Sequence, residues 1–429
     1  MMKETIQKYV EKVLPTLTTL VKWLALASIT GLLCGLAGSA FTWSISHVTA
    51  LRGEYPWLLF CMPVAGLLIV WTYRAWGMEN DSGTNQIIAS VRGECHPPLR
   101  LTPLIFLGSV LTHLTGGSAG REGAALQIGG SLAAWLGRQL RLDQRNTSTI
   151  IQCGMAGLFS ALFGTPLAAV IFSLEVVSVG HLHYSALFPS LLSALIAAGI
   201  PQLFGLPAEA YPQFGTPELG VVSLAQAGTL AIVTALLSIV FCVLMHETGR
   251  LYKKFLPNPY LRILTGAALV IVLTLLEGSG NYNGAGGPII DMALEGHVYV
   301  PWAFLFKMIF TALTLGAGYR GGEIVPTLYI GATFGCAAGP LLGLDPAFAA
   351  GIGMLAMFCG VTNCPIASIF LGIELFGSES LLFFGLACAL SYLFSGKYSL
   401  YSSQKIVYSK LESRLDGQYQ QQEAQKGRS

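Results

Sequence analysis

"GGSAGREGAALQIGG" runs from Gly116 to Gly130 and sets Arg121 and Glu122 between glycines, immediately before an apolar segment. Elsewhere the chain keeps charge out of such segments. Its 429 residues are 53% hydrophobic and 11% charged, where soluble domains carry about a quarter charged residues. Residues 146–174, 176–208, 219–246 and 324–344 contain no Asp, Glu, Lys or Arg, and each run is near or above the ~20 residues that cross a bilayer. These runs predict an all-α polytopic membrane protein embedded in a lipid bilayer. Fifty glycines are more than plain spanning helices use, so many helices should be short, closely packed or interrupted.

The ends read differently. "MMKETIQKYVEKVLPTLTTLVKW" mixes charges of both signs and has no small-residue cleavage site, so residues 1–23 read as an interfacial helix and not a secretory signal. Residues 402–429 form a polar tail. Arg138, Arg141 and Arg145 cluster in one loop, and Arg250, Lys253, Lys254 and Arg262 in another. The excess of basic residues on cytoplasmic loops puts both loops on the cytoplasmic side, and both termini are expected there too. The nine cysteines form no CxxC pair and read as small core residues, with no metal site and no disulfide framework.

The quoted stretch has an echo. "GREGAALQIGGS" (Gly120–Ser131) aligns with "GEIVPTLYIGAT" (Gly322–Thr333) at an offset of 202 residues, and "PLAAVIFSLE" (Pro166–Glu175) with "PIASIFLGIE" (Pro365–Glu374) at 199. Two matches in order at one spacing indicate a duplicated half. The first repeat spans residues 24–210, a linker 211–223, and a second, inverted repeat 224–401. Repeated, Gly-broken apolar segments point to a transporter with its site near the midplane, where interrupted helices meet.

A helix start presents unpaired N–H groups and the positive end of the macrodipole, which suits an anion. Glu122 stands at such a start. Ionised, its carboxylate can occupy the anion's place; protonated, it can swing away, so one residue exchanges a proton against an anion. The plainer reading is a helix-start acid paired with Arg121. Glu323, in "GYRGGEIVP", lies in the partner element, either as a second proton-carrying group or in a salt bridge with Arg320. Glu175 and Glu374, related by the repeat, read as packing or capping residues, and His181 and His183 as interfacial. No nucleotide loop, hydrolase elbow, metal motif or cofactor site is present, and nothing suggests a nucleic-acid partner or an enzyme.

At these residues the sequence resembles the CLC family of anion channels and proton-coupled antiporters. "GREG" (Gly120, Arg121, Glu122, Gly123) is similar to the family's second anion-site motif, with Glu122 on its gating glutamate. "GGEIVP" (with Gly322, Glu323 and Ile324) resembles the third motif, and "SGKYSLY" places the pore tyrosine at Tyr401. The resemblance covers residues 24–401 and implies tilted, interrupted helices and a homodimer with one pore per subunit. Within the family the chain is most similar to the fluoride–proton antiporter branch. Glu323 stands where chloride-handling members keep a bulky apolar residue, Ala124 where a proline is common, and Val176 where chloride antiporters place an inner proton glutamate. Thr84, in "DSGTNQI", fits neither group's first motif, and Val325 stands where the fluoride branch often has threonine.

The resemblance implies a proton-coupled fluoride exporter of a bacterial inner membrane. Glu122 would gate and carry the proton, and Glu323 would relay it or hydrogen-bond the ion. Thr84, Gly120, Arg121, Gly123, Gly322, Ile324 and Tyr401 would line the path. The alternative is a chloride-selective antiporter or channel of the same architecture.

Overall fold

The structure is a computed structural model that describes residues 2–206 and 210–411, with side chains from residue 14 onward apart from residue 15. The polar end of the tail, 412–429, lies outside the described residues.

The first eight helices are α1 (Met2–Glu54), α2 (Met62–Ala75), α3 (Thr84–Val91), α4 (Leu101–Leu114), α5 (Glu122–Gln139), α6 (Gln144–Phe163), α7 (Pro166–Glu175) and α8 (Leu187–Leu203). The next eight are α9 (Val221–Phe255), α10 (Pro259–Glu277), α11 (Gly287–Leu294), α12 (Ala303–Ala317), α13 (Ile324–Ala338), α14 (Pro346–Thr362), α15 (Pro365–Phe376) and α16 (Leu381–Phe394). The two series repeat one order. A long first helix comes first, the third helix has eight residues in both (α3, α11), and the seventh has 10 in one and 12 in the other (α7, α15). Among the described residues six helical stretches are long and apolar enough to cross a membrane, while α3, α7, α11 and α15 are far too short. Residues 2–23 and the first span form one unbroken helix.

The short helices start at special positions. α7 and α15 both begin with proline, whose missing N–H costs nothing at that position. The amides that follow still need acceptors. Glu374 closes the second repeat's seventh helix and accepts from Leu167 N–H (2.9 Å) and Ala168 N–H (2.8 Å) of α7. Glu175 does the reverse, accepting from Ile366 N–H (3.2 Å) and Ala367 N–H (2.9 Å) of α15. Each half therefore caps the other's helix, and the capping role read from the repeat acts across the two halves.

The glycines make the packing between helices tight. A Cβ on Gly129 would collide with the carbonyl of Gly154 where α5 crosses α6, and one on Gly331 would collide with the carbonyl of Gly353 where α13 crosses α14. The same close approach thus occurs once in each repeat, as small residues at membrane helix interfaces permit. After α16 the chain folds back. Its strand β2 (Lys405–Ile406) pairs in parallel with β1 (Ser178–Val179), anchoring the segment that carries Tyr401 to the first half.

Candidate functional site

Gly120 and Gly322, the first glycines of the two echoed stretches, form an antiparallel bridge. Gly120 N–H donates to Gly322 C=O at 2.6 Å, and Gly322 N–H to Gly120 C=O at 2.7 Å. This bridge brings the starts of α5 and α13 together. It also uses both glycine amides, so these two residues frame the site and do not donate to an ion. The first amides of the helices, among them those of Gly123 and Ile324, are the remaining candidate donors. A Cβ on Gly322 would lie 3.0 Å from the amide nitrogen of Glu122 and closer still to that of Gly123. Only glycine leaves room beside those amides.

Glu122 is fully buried and turns back on its own helix start. Its Oε2 accepts from Arg121 N–H at 2.9 Å, and its Oε1 lies 3.6 Å from Arg121 Nε. A carboxylate held by an amide at a helix start stands where an anion would bind. The pairing with Arg121, the plainer reading of Glu122, is present.

Glu323 is only half-buried, although Gly322 and Ile324 on either side are buried. It does not pair with Arg320. That guanidinium reaches across to Asp81, Nη1 to Oδ2 at 2.9 Å, and stacks 3.8 Å over the ring of Tyr73. Asp81 in turn accepts from Gly83 N–H at 3.0 Å, just before α3 begins. The Arg320–Asp81 pair thus ties the third motif to the first and leaves the Glu323 carboxyl facing the site. A Cβ on Gly123 would fall 3.0 Å from Glu323 Oε2 and 3.5 Å from Thr84 Oγ1. The space beside Gly123 is therefore walled by a hydroxyl and a carboxyl.

Thr84 opens α3, is 5% exposed, and donates weakly to Gly123 C=O at 3.4 Å. Gln127 was not singled out in the sequence. Its Nε2 lies 3.4 Å from Thr84 Oγ1 and 3.2 Å from Gly123 C=O, and its Oε1 has no partner. Its place five residues after Glu122, on a helix facing inward, was the available signal. Val325 packs beside Gly120, and Thr327 donates to the Glu323 carbonyl at 2.8 Å, not to its carboxyl.

Tyr401 is buried with no partner for its hydroxyl. It lines a cavity of about 320 Å³ together with His246, Arg250 and Lys397. Glu122 lines a different cavity, of about 550 Å³, beside Ile45 and Arg52. A third, lined by Trp23, Arg145 and Lys405, contains the neighbours of Gln404 and Ile406 in the Tyr401 cavity. Trp23 and Arg52 lie about 40 Å apart along one helix at 1.5 Å per residue. The Glu122 cavity thus lies towards the Arg52 end of α1, and the Tyr401 cavity towards its Trp23 end.

Two halves that repeat one order of helices, with broken helices meeting start to start at Gly120 and Gly322, define a polytopic, internally repeated membrane-protein architecture. The chain matches the voltage gated chloride channel family over residues 65–396 and belongs to that CLC family. It is 37% identical over 404 residues to a chloride/fluoride channel protein of Pseudomonas syringae pv. tomato, covering 92% of this chain and 89% of that one. A crystal structure of a CLC-type fluoride/proton antiporter superposes with a TM-score of 0.87 at 32% identity, covering 90% of this chain and 98% of that one. A slow cyanobacterial Cl⁻/H⁺ antiporter shares the fold, with a TM-score of 0.76 at 19% identity over 87% of this chain and 94% of that one.

Proposed function

We propose that the chain exports fluoride in exchange for protons. The reading rests on Glu122, whose carboxylate accepts the amide at the start of α5 in the place an incoming anion would take. With the carboxyl ionised, that place is filled. Protonation removes the charge that holds it, and a halide then binds at the helix start while the acid carries its proton away. Glu323, half-buried and free of Arg320, faces the same space, where it donates to the ion when protonated or hands the proton inward. Thr84 supplies a hydroxyl and Tyr401 closes the path towards the second cavity.

Fluoride is small and strongly hydrated, so each water removed needs a replacement donor. The helix-start amides, the Thr84 hydroxyl, Gln127 Nε2 and a protonated carboxyl supply several donors within a narrow space. Both arginine-rich loops lie on the Tyr401 face, which we assign to the cytoplasm of a bacterial inner membrane along with both termini. The family resemblance further implies a homodimer with one path in each subunit.

A channel or a chloride-carrying exchanger is the second reading. It is favoured by the relative whose name is chloride/fluoride channel protein. Liposome flux separates the three. Fluoride driven uphill by a proton gradient, with little chloride movement, supports the exporter. Equal chloride flux overturns the substrate, and purely downhill flux overturns the coupling.

A further inference from the structure

The cavity above Glu122 contains more chemistry than the exchange step uses. Its wall combines Thr49 and Arg52 at the end of α1, His113 of α4, Arg121 and Asn283. Two buried polar atoms of this wall have no hydrogen-bond partner, Arg52 Nη1 and His113 Nε2.

The Arg52 guanidinium is held against backbone. A Cβ on Gly116 would lie 3.3 Å from Nη1, and one on Gly284 would lie 3.2 Å from it. Both positions have positive φ, +82° and +60°, so they suit glycine, and glycine is what admits the guanidinium. Behind it, Lys307 is fully buried and donates to the carbonyls of Tyr282 (3.1 Å) and Gly284 (2.7 Å). Among the described residues neither Arg52 nor Lys307 forms an ion pair. Arg52 is partly buried, and a charge drawn out of water without a counter-charge is costly, a cost that a visiting anion relieves.

His113 narrows the kind of visitor. It is 2% exposed, and its Nδ1 lies 2.8 Å from the Ser109 carbonyl. A carbonyl only accepts, so Nδ1 carries the hydrogen and Nε2 of the neutral ring is an acceptor. One wall therefore offers an orphan donor and an orphan acceptor. A bare halide satisfies only the donor. A hydrated halide satisfies both, accepting from Arg52 while one of its waters donates to His113. The cavity, of about 550 Å³, has room for a halide and several waters.

We propose that this vestibule is a separate anion subsite, built by Arg52 and His113, that holds the transported halide with its water before or after it passes Glu122. It rests on the exporter reading only in taking the cavity as one mouth of the path. The test is the half-saturating fluoride concentration measured separately from each face in oriented proteoliposomes. Arg52→Gln is expected to raise the vestibule-side value about tenfold, the scale of one lost charge-assisted hydrogen bond, and to leave the opposite-side value unchanged. Should that variant fail to fold, Thr49→Glu on the exposed wall adds a repelling carboxylate and is expected to shift the same value in the same direction. A vestibule-side value that does not move, or two sides that shift together, overturns the subsite. If the wild type carries chloride as well as fluoride, the substrate reading fails alone, and the two-sided comparison is made with chloride.

Discussion

Gly120 and Gly322 exchange both of their backbone hydrogen bonds, joining the starts of two broken helices that lie 202 residues apart. The bridge fixes how far apart those starts stand, and no side chain fits between Gly322 and the amides of Glu122 and Gly123. Gly322→Ala is therefore expected to force the helix starts apart at a cost of about 1–3 kcal/mol and to lower fluoride turnover more than tenfold in a protein that still elutes as a folded species. Fluoride efflux from liposomes measures it; wild-type turnover would show that the amides beneath Gly322 do not serve the ion.

The Glu323 carboxyl faces the space beside Gly123 because Arg320 is engaged by Asp81. Glu323→Gln keeps the shape and removes the titratable proton. Proton flux is expected to fall more than fluoride flux, so that the ratio of the two changes. An unchanged ratio and rate would exclude Glu323 from the proton's route. Asp81→Asn weakens the Arg320 pair and is expected to lower turnover through misplacement of Thr84, without altering the ratio.

Glu175 and Glu374 predict a stability effect that is independent of transport. Each carboxylate satisfies two amides at the start of the other half's helix. Replacing either with alanine is expected to cost about 1–2 kcal/mol, the scale of a lost N-cap. The cost should be greater for Glu175, which is buried, than for Glu374, which is partly covered. Thermal unfolding in detergent reads this, and unchanged midpoints for both variants would mean that water replaces the exchanged caps at no cost.

Much of this was legible in the chain, and the limit lies at contacts between distant residues. The duplicated motifs announced two halves, the glycines announced broken helices, and Glu122 announced a charge that a bilayer does not tolerate idly. The matched glutamates Glu175 and Glu374 could be read as caps because they end equivalent helices. That each caps the opposite half could not be read, since spacing along a chain reveals local neighbours only. For the same reason Arg320 looked like a partner for nearby Glu323, whereas its carboxylate is Asp81, 239 residues away. Gln127 went unnoticed because an amide on a buried helix face carries no charge to mark it. The Gly120 and Gly322 amides looked free, but each is the other's partner.

At the β1–β2 corner, outside the membrane-spanning segments, the Arg92 hydrogen bond, with Lys405 beside it, holds the Glu94 carboxyl down at about 2 from an ordinary 4.5. A carboxyl whose folded value lies below its unfolded one stabilises fully above about 4.5 and loses that contribution as pH falls towards about 2. Glu94 is 42% exposed, so the effect is small and salt-sensitive. The Val407 N–H bond to Val179 C=O (3.2 Å) is expected to keep its protection factor against hydrogen exchange near neutral pH and to lose a small part of it only in acid. Loss already near neutrality would assign the corner's stability to another group.

The competition between a carboxyl and a halide for one helix start is tested most directly in proteoliposomes holding equal fluoride on both sides, with a proton gradient as the sole driving force. The wild-type protein should build a fluoride gradient, and Glu122→Gln should carry fluoride only downhill and move no protons. A Glu122→Gln protein that still builds the gradient would contradict the mechanism.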